Sequence, residues 1–221
     1  MEMVVDSRLM KKIDYNTIHN IGIPSMVLME RAALAVVDCI KKHVDSKEKI
    51  LAVCGIGNNG ADGIAAVRIL KMQGYDAQVL LIGDIQKGTA EIKEQINIAR
   101  KLGISIYNNV NLEEYTVIID AIIGIGLNKP VQGIHLDYIK EINKGNHTVF
   151  SVDIPSGLSA STARPLKEAI KADYTVTFGF NKVGLTLYPG CEYAGNTQVA
   201  DIGFPPNNME SDIYYYTYFI N

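Results

Sequence analysis

Three polar turns of this chain carry the residues that could do chemistry. The first follows the apolar run 50–54 and places Asn58, Asn59 and Asp62 among several glycines. Main-chain N–H groups are unpaired where a helix begins, and glycines let a ligand approach the backbone closely. The amides and the carboxyl add further donors and acceptors. Such a turn is typical of a site for a phosphate, a ribose or a cation, with a plain tight loop as the alternative.

The other two turns also follow apolar runs, and an aspartate begins each of them. Asp120 follows the run 117–119, and Asp153 follows the run 148–152. Taken singly, each aspartate can be a helix or turn cap. Ligands of parallel sheets sit beyond the carboxyl ends of the strands, so we expect all three turns to meet in one pocket. Because gathered carboxylates repel, this pocket predicts a bound cation or a carboxyl with a raised pKa.

The first turn matches neither common nucleotide fingerprint in full. Gly55, Gly57 and Gly60 fit the spacing G-x-G-x-x-G after a strand, but no acid ends the next strand at the expected distance. Asp84, just beyond that strand, is the remaining candidate for a ribose contact. There is no Gly-Lys-Ser/Thr, which excludes the phosphate loop of NTPases. The histidines are scattered, which argues against a zinc site or a Ser-His-Asp triad.

Alternating elements must position these turns. We expect strands at 49–54, 77–82, 104–107, 116–121, 148–153 and 173–179, and helices at 62–73, 88–101 and 135–144. Near-continuous apolar strands are typical of a mainly parallel sheet between helical layers, an α/β fold. Two helices, 7–20 and 25–42, should come first. The second, with Ser25 as its N-cap, is apolar round much of its surface, which indicates packing in the core or on a second subunit.

Composition narrows the class of protein. The 221 residues, 48% hydrophobic and 20% charged, suit one α/β domain. A net charge of −3 without a basic patch excludes an electrostatic nucleic-acid binder. No apolar stretch has the length of a membrane span, and no signal-peptide pattern opens the chain. Three widely spaced cysteines predict free thiols in a reducing compartment, the cytoplasm.

Taken in order, the three turns resemble the NAD(P)H-hydrate epimerase family, the YjeF N-terminal domain. That family reads G-x-G-N-N-G-G-D-G, then D-A-x-x-G-x-G, then V-D-I-P-S-G. This chain has the same motifs at 55–63, with Ala61 in place of a glycine, at 120–126 and at 152–157. Flanking stretches agree as well, at 28–32, 177–184, 188–190 and 199–203.

The resemblance implies a Rossmann-like three-layer α/β/α sandwich that interconverts the R and S epimers of hydrated NADH and NADPH. These damaged cofactors carry a hydroxyl at C6 of the nicotinamide ring, and a separate ATP- or ADP-dependent dehydratase rescues the S form. The resemblance also implies a homodimer with one potassium ion per subunit, held by Asn59, Asp120 and Ser156. Oxygen ligands of this kind suit a hard cation.

The resemblance also implies the substrate contacts. They are Asp153 and two loops, with the residues Asn58, Asn59, Gly60, Ala61, Asp62, Gly124, Ile125, Gly126, Leu127, Asn128, Lys129 and Pro130. Epimerisation at C6 needs the hydroxyl to leave and return on the other face, or the ring to open and reclose. Both routes call for an acid–base group. Asp153 is our candidate, and Lys182 is the second, with a surface or capping lysine as the alternative.

The chain departs from the family pattern after Gly157. The family reads L-D-A-D-T-G there, and this chain reads Leu-Ser-Ala-Ser-Thr-Ala at 158–163. Two carboxylates and a glycine are lost, which would alter the pocket rim unless these residues only cap a turn. The potassium ligands and Asp153 are intact, so we expect an active enzyme.

Several alternatives remain at this point. A nicotinamide-dependent oxidoreductase and a non-catalytic nucleotide-binding relative are the competing functions. We expect a single domain over 1–221, with the helices of 7–42 packed on an α/β core at 49–206. The tyrosine-rich tail, 214–221, is either an edge strand or the link to a fused dehydratase domain.

Overall fold

The computed structural model describes residues 3–205, and strands and helices alternate through most of them. The strands are β1 (Val4–Val5), β2 (Lys49–Cys54), β3 (Asp76–Leu81), β4 (Ile106–Tyr107), β5 (Val117–Ala121), β6 (Thr148–Val152), β7 (Tyr174–Phe178), β8 (Asn181–Lys182) and β9 (Asn196–Ala200). The helices are α1 (Ser7–Tyr15), α2 (Ser25–His43), α3 (Asn58–Met72), α4 (Ala90–Lys101), α5 (Gly133–Lys144), α6 (Val183–Thr186) and α7 (Cys191–Ala194). The tail at 214–221 lies outside the described residues.

Seven strands form one sheet in the order β4-β3-β2-β5-β6-β7-β9, and every pairing in it is parallel. The chain runs outward from β2 through β3 to β4, then crosses back to place β5 on the other side of β2. The strand order therefore reverses between β2 and β5, and ligands of such sheets bind in the crevice at that point. The predicted α/β fold with a parallel sheet is confirmed.

The core has two halves, one on each face of the sheet. Successive side chains of a strand point to opposite faces. Ala52 and Cys54 of β2 accordingly pack in the cluster formed with α2, α3 and α4, whereas Leu51 and Val53 pack in the cluster formed with α5. These strands are apolar at nearly every position because both faces are covered. The three-layer arrangement is confirmed.

The N-terminal segment is tied to the far end of the chain. β1 pairs in parallel with β8, with Val5 opposite Lys182. Helix α1 then begins at Ser7, and the Asp6 carboxylate caps it by accepting from the main-chain N–H of Leu9 at 2.7 Å. A π-helical segment, Asn16–Ile21, continues α1. The short pairing between β1 and β8 has no counterpart in our sequence expectations.

The start of helix α3 and the role of Ser25 differ from the sequence expectation, and α4 and α5 each begin two residues from the expected position. Helix α3 begins at Asn58 instead of near residue 62, because the glycine-rich turn is already helical and the N–H of Ala61 donates to the Gly57 carbonyl. Ser25 is the first residue of α2 and does not cap it; its hydroxyl donates to the Glu91 carboxylate at 3.0 Å. The strand expected at 104–107 is reduced to β4, and β9 was not predicted.

The position of Ala61 within α3 explains why this chain tolerates an alanine where the family has glycine. Ala61 is fully buried and helical, so no left-handed backbone is required there. We expect Ala61→Gly to lower the free energy of unfolding by about 1–2 kcal/mol, the sum of the helix preference for alanine and one buried methyl group. Urea unfolding measures this change. Ala90→Gly, at an exposed helix start, is the matched control and should cost less. A stabilised Ala61→Gly protein would contradict this account.

Candidate functional site

A cavity of about 510 Å³ opens at the carboxyl edge of the sheet, beside the point where the strand order reverses. Its wall includes the turn after β2, the loop after β5 and the end of β6, as expected from the sequence. Asn58, Asn59 and Asp62 line it from the first of these, and Asp153 lines it from the last. Helices α1 and α2 complete the wall. The three polar turns therefore do meet in one pocket.

Some of the expected substrate contacts do not line this cavity. Gly124, Ile125 and Gly126 line it, but the rest of that loop, residues 127–130, does not, and its last three residues are exposed. Gly60 and Ala61 are buried within the first turn of α3. A Cβ atom on Gly60 would overlap the carbonyl oxygen of Gly55, so this glycine allows the close approach of helix and strand. Contact between these residues and a substrate stays a prediction.

Asp120 and Ser156, two of the expected potassium ligands, are in direct contact with each other, and neither lines the cavity. The Asp120 carboxylate accepts from the main-chain N–H of Ser156 at 2.8 Å and from the Ser151 hydroxyl at 2.7 Å. The Ser156 hydroxyl accepts from the N–H of Ile123 at 2.8 Å and lies 3.2 Å from the carbonyl oxygen of that residue. Burial raises the pKa of Asp120, and these hydrogen bonds oppose that shift.

Asn59, the third expected ligand, faces the loop that Ser156 holds. A Cβ atom on Gly124 would come within 3.1 Å of the Asn59 amide oxygen, so the two segments touch. The amide nitrogen of Asn59 is buried and has no hydrogen-bond partner within residues 3–205. The amide O and N of an asparagine are assigned from such partners. If the amide is turned over, its oxygen takes this unpartnered position and could serve as a ligand to a cation.

This set of donors fits a monovalent cation better than a transition metal. Asp120 supplies a buried charge with no Lys or Arg paired to it in residues 3–205, and Asn59, Ser156 and the Ile123 carbonyl supply neutral oxygens. Hard cations prefer such oxygens. No group of three or more His, Cys, Asp or Glu side chains in the described part of the chain is arranged to hold a metal.

Asp153 and Lys182, the two expected catalytic residues, form a buried ion pair. The Lys182 ammonium donates to the Asp153 carboxylate at 2.6 Å, to the Thr177 hydroxyl at 2.7 Å and to the Phe178 carbonyl at 2.9 Å. All three of its protons are thereby used. Lys182 is fully buried, so the alternative of a surface lysine is wrong. Burial lowers the pKa of Lys182, and Asp153 opposes that shift.

The backbone of Asp153 is held in an unusual conformation. Its φ of 65° lies in the left-handed region, which residues other than glycine seldom adopt. The Asp153 N–H donates to the Val176 carbonyl at 2.8 Å, and Oδ1 accepts from the Thr177 hydroxyl and the Phe178 N–H, each at 3.2 Å. Strain of this kind persists where the surroundings hold a residue firmly. Within residues 3–205 no hydrogen bond reaches Oδ2, and the side chain lines the pocket.

Two further carboxyls complete an acidic pocket. Burial, together with the negative charges of Asp153, Asp14 and Glu91, raises the pKa of Asp62 well above its usual range. Burial and the charge of Asp153 raise the pKa of Asp14, which lies on α1. Of the two expected outcomes, a bound cation or a carboxyl with a raised pKa, these shifts agree with the second, with burial as the first cause and the neighbouring carboxylates as the next. Asp14 was not predicted from the sequence, although it adjoins the apolar stripe of α1.

Asp62 should make stability depend on pH. Its pKa is higher in the folded than in the unfolded state, so the folded protein binds more protons and becomes less stable as pH rises above about 4. We expect Asp62→Asn to remove this loss, so that its gain in melting temperature over the wild type is larger at about pH 8 than at about pH 5. Thermal unfolding at both pH values measures the difference. Asp84→Asn, at an exposed site, is the control; equal gains at both pH values for Asp62→Asn would refute the expectation.

The residues that depart from the family pattern lie away from the pocket wall. The Ser159 hydroxyl accepts from the N–H of Thr162 at 3.2 Å, which is turn capping, and the Ser161 hydroxyl lies 2.8 Å from that of Ser7 at the start of α1. Ala163 has a φ of 57°, which explains the glycine of the family and costs about 1 kcal/mol. None of them lines the cavity.

The candidate ribose contact is not part of the site. Asp84 caps a short 3-10 turn, Ile85–Lys87, through the N–H of Gln86, and it does not line the pocket. The acid that would complete a dinucleotide-binding fingerprint is therefore absent from the cavity wall. No helix in the described part of the chain is long and apolar enough to cross a membrane.

Comparisons with known proteins agree with this geometry. The sequence profile described as "YjeF-related protein N-terminus" matches residues 25–184. The NAD(P)H-hydrate epimerase of Limosilactobacillus fermentum is 42% identical over 201 residues, which are 90% of this chain and 97% of that protein. The enzyme of the same name from Leuconostoc citreum is 41% identical over 200 residues, 90% of each chain.

A solved structure supports the fold. The crystal structure of yeast ynu0 superposes with a TM-score of 0.81, covering 98% of this chain and 96% of its own, at 21% sequence identity. This likeness concerns the arrangement of the elements alone. The matched profile and the two bacterial relatives concern the sequence, and they cover the three turns that form the pocket. This chain therefore belongs to the family of YjeF-related N-terminal domains.

Proposed function

We propose that this protein is an NAD(P)H-hydrate epimerase, an isomerase that interconverts the R and S epimers of hydrated NADH and NADPH in cofactor repair. One observation carries the proposal: Asp153, oriented by a buried lysine, faces a pocket that also exposes the start of helix α3. The relatives of the same length bear this name. The pocket provides a place for an anionic cofactor and a carboxyl for proton transfer.

The start of α3 is suited to the pyrophosphate of the substrate. Gly57 is the N-cap, and no side chain caps the helix there, so main-chain N–H groups of the first turn are free for a ligand. The helix dipole also favours a negative group at this end. Asn58 and Asn59 line the pocket at the same place and can donate through their amides. The nicotinamide ring would then lie deeper, towards Asp153.

In this proposal Asp153 transfers protons at the nicotinamide C6, and Lys182 positions it. The three acceptors around the Lys182 ammonium leave no proton directed at a substrate. The ammonium fixes Oδ1 of Asp153 and leaves Oδ2 for the ring. A carboxyl held this way can accept a proton from water or give one to the departing hydroxyl.

Potassium is part of the proposal, with Asn59, Asp120 and Ser156 as the residues that would hold it. When bound, the ion supplies positive charge that offsets the buried Asp120 carboxylate next to the substrate loops. We expect KCl to raise the melting temperature of the wild-type protein more than tetramethylammonium chloride does. The difference should vanish in Asp120→Asn, and an equal effect of both salts on the wild type would remove potassium from the proposal.

The proposal extends to assembly and location. A homodimer would cover an exposed apolar face of α2, where Val27 and Leu34 are 48% and 42% exposed and lie two turns apart. The molar mass in solution, measured by analytical ultracentrifugation, tests whether the protein is a dimer.

A cytoplasmic location is supported by three free cysteines. The S epimer would there be the substrate of a separate dehydratase.

An assay that starts from one purified epimer tests the proposed activity. We expect the protein to convert the R epimer to a mixture of the R and S epimers without any change in the redox state of the nicotinamide. Chromatography that separates the two epimers monitors the conversion. Oxidation or reduction of the ring would favour the oxidoreductase instead. Binding of NADPH without conversion of either epimer would indicate a non-catalytic relative.

A further inference from the structure

One stripe of the N-terminal helical segment forms a wall of the pocket. Met10, Asp14 and Ile18 all line the cavity, and they follow one another at intervals of four residues. At 3.6 residues per turn this spacing places them on the same face of the helical segment. Asp14 is the only carboxyl group on that face. The segment therefore presents one acid–base group to the cavity, from a wall different from the sheet edge that carries Asp153.

The position of this wall relative to Asp153 is fixed by hydrogen bonds. β1, directly before α1, pairs with β8, which contains Lys182, the partner of Asp153. The start of α1 is also held where the Ser7 N–H donates to the Ser161 hydroxyl at 3.1 Å. The segments that carry Asp14 and Asp153 are thus joined through β1 and β8.

The carboxyl of Asp14 makes no polar contact that stabilises the fold within the described residues. It is partly buried, and within residues 3–205 it takes part in no hydrogen bond or ion pair. A carboxyl that capped a turn would resemble Asp6, whose oxygen accepts from Leu9. Burial and the charge of Asp153 raise the pKa of Asp14, so it holds a proton more readily than an exposed aspartate.

The proposed reaction has a requirement that one fixed carboxyl does not meet. The hydroxyl of one epimer projects from one face of the ring, and that of the other epimer projects from the opposite face. Asp153 is held by Lys182, Thr177 and Phe178 and serves the face towards the sheet. We propose that Asp14 is a second catalytic residue, which transfers protons on the ring face opposite to Asp153; this rests on the proposed epimerase function.

The step balances without any further reactant. Asp14 gives its proton to the C6 hydroxyl oxygen, the C6–O bond breaks, and the hydroxyl leaves as water while the lone pair of the ring nitrogen forms a C6–N1 double bond. A water on the other face then adds to C6, the electron pair returns to the nitrogen, and the Asp153 carboxylate takes the proton of that water. One turnover leaves Asp14 ionised and Asp153 protonated, and exchange of these protons with solvent water restores the starting state. The reverse reaction uses the two carboxyls in exchanged roles.

The ionisable groups around Asp14 come from every neighbouring wall. They are Lys11 and His19 on its own segment, Asp62 on α3, Glu91 on α4, His135 on α5, and Asp153 with Lys182 at the sheet edge. Asp62 is the carboxyl most similar to Asp14, since it also lines the pocket and has a raised pKa. The matched comparison for Asp14→Asn is therefore Asp62→Asn.

The test follows epimerisation and oxygen exchange together. Each pure epimer is incubated in oxygen-18 water with the wild type, with Asp14→Asn or with Asp62→Asn, and the label at C6 is measured by mass spectrometry. For the wild type we expect both epimers to take up label. For Asp14→Asn we expect epimerisation to fall by about 10²-fold or more, while one epimer still takes up label through Asp153 alone. The epimerisation rate of the wild type should fall as rising pH deprotonates Asp14, and the rate of Asp14→Asn should not show this fall.

The other outcomes are equally informative. Asp62→Asn should keep the wild-type ratio of exchange to epimerisation in both epimers, even if binding weakens. The inference is overturned if Asp14→Asn epimerises at the wild-type rate, or if Asp62→Asn shows the one-sided exchange instead. Epimerisation by the wild type without any uptake of label would overturn the proposed step. An inactive wild type would refute the proposed function itself, and unchanged affinity of Asp14→Asn for NADPH separates a catalytic loss from misfolding.

Discussion

Replacing Asp153 by asparagine is expected to lower kcat/KM for epimerisation by about 10²–10⁴-fold, the usual loss when an acid–base group is removed. Asparagine is the informative substitution, because it has the same size and tolerates the left-handed backbone that a φ of 65° imposes. The hydroxyl of Thr177 and the N–H of Phe178 can still donate to its amide oxygen. What is lost is the ability to exchange a proton with the hydroxyl or water oxygen at C6. Initial rates with each purified epimer measure the effect.

Asp84→Asn is the matched control for this experiment. It makes the same chemical change at an exposed aspartate outside the pocket, so its rate should equal that of the wild type. Affinity for NADPH, measured by fluorescence, shows whether the pocket of Asp153→Asn is still formed. A variant at position 153 that binds NADPH and epimerises at the wild-type rate would remove Asp153 from the mechanism, while leaving the fold unaffected.

The second large effect is expected at Lys182. Lys182→Met keeps most of the length of the side chain but removes the ammonium, which leaves the Asp153 carboxylate buried with only two donors. Breaking a buried ion pair by removing one partner costs about 3–5 kcal/mol. We expect a loss of that size in the free energy of unfolding, measured in urea. Epimerase activity should fall as well, because Oδ1 of Asp153 loses the contact that orients it.

The double variant Lys182→Met/Asp153→Asn separates the ion pair from general damage to the core. With both charges absent, no carboxylate is left uncompensated, and the double variant should be more stable than Lys182→Met alone. The coupling energy of such a cycle, about 1 kcal/mol or more for groups in one network, measures the pair directly. Strictly additive losses would show that Lys182 acts through packing and not through Asp153.

Much of the fold follows from local patterns in the sequence. β2 has the expected bounds, and β3, β5, β6 and β7 differ from theirs by at most one residue at either end. These strands were predictable because they are covered on both faces and are therefore continuously apolar. The meeting of Asp120 and Asp153 at one edge was predictable for a different reason, since parallel strands bring their carboxyl ends together.

The parts of the site that could not be predicted depend on contacts between distant segments. Nothing local distinguishes Lys182 from a surface lysine; only the pairing of β8 with β1 and the position of Asp153 make it buried. Asp14 was missed for the same reason, because its wall of the pocket is set by where α1 packs. The early start of α3 has a local cause instead. A glycine-rich turn is predicted to be irregular from its sequence, but its backbone is helical here.

The pairing of β1 with β8 has a consequence for how the molecule is made. Residues 4 and 5 pair with residues 181 and 182, so the sequence separation of this contact is among the largest in the structure. Contacts between residues far apart in sequence form slowly, because the entropy cost of closing a long loop comes before the contact can stabilise the structure. During synthesis β2 and β3 can pair early, whereas the pocket wall that carries Asp14 stays unattached until residues 181 and 182 have been synthesised. A product that ended before residue 181 would lack β8, the strand that holds the N-terminal segment beside Asp153, and also β9 of the main sheet.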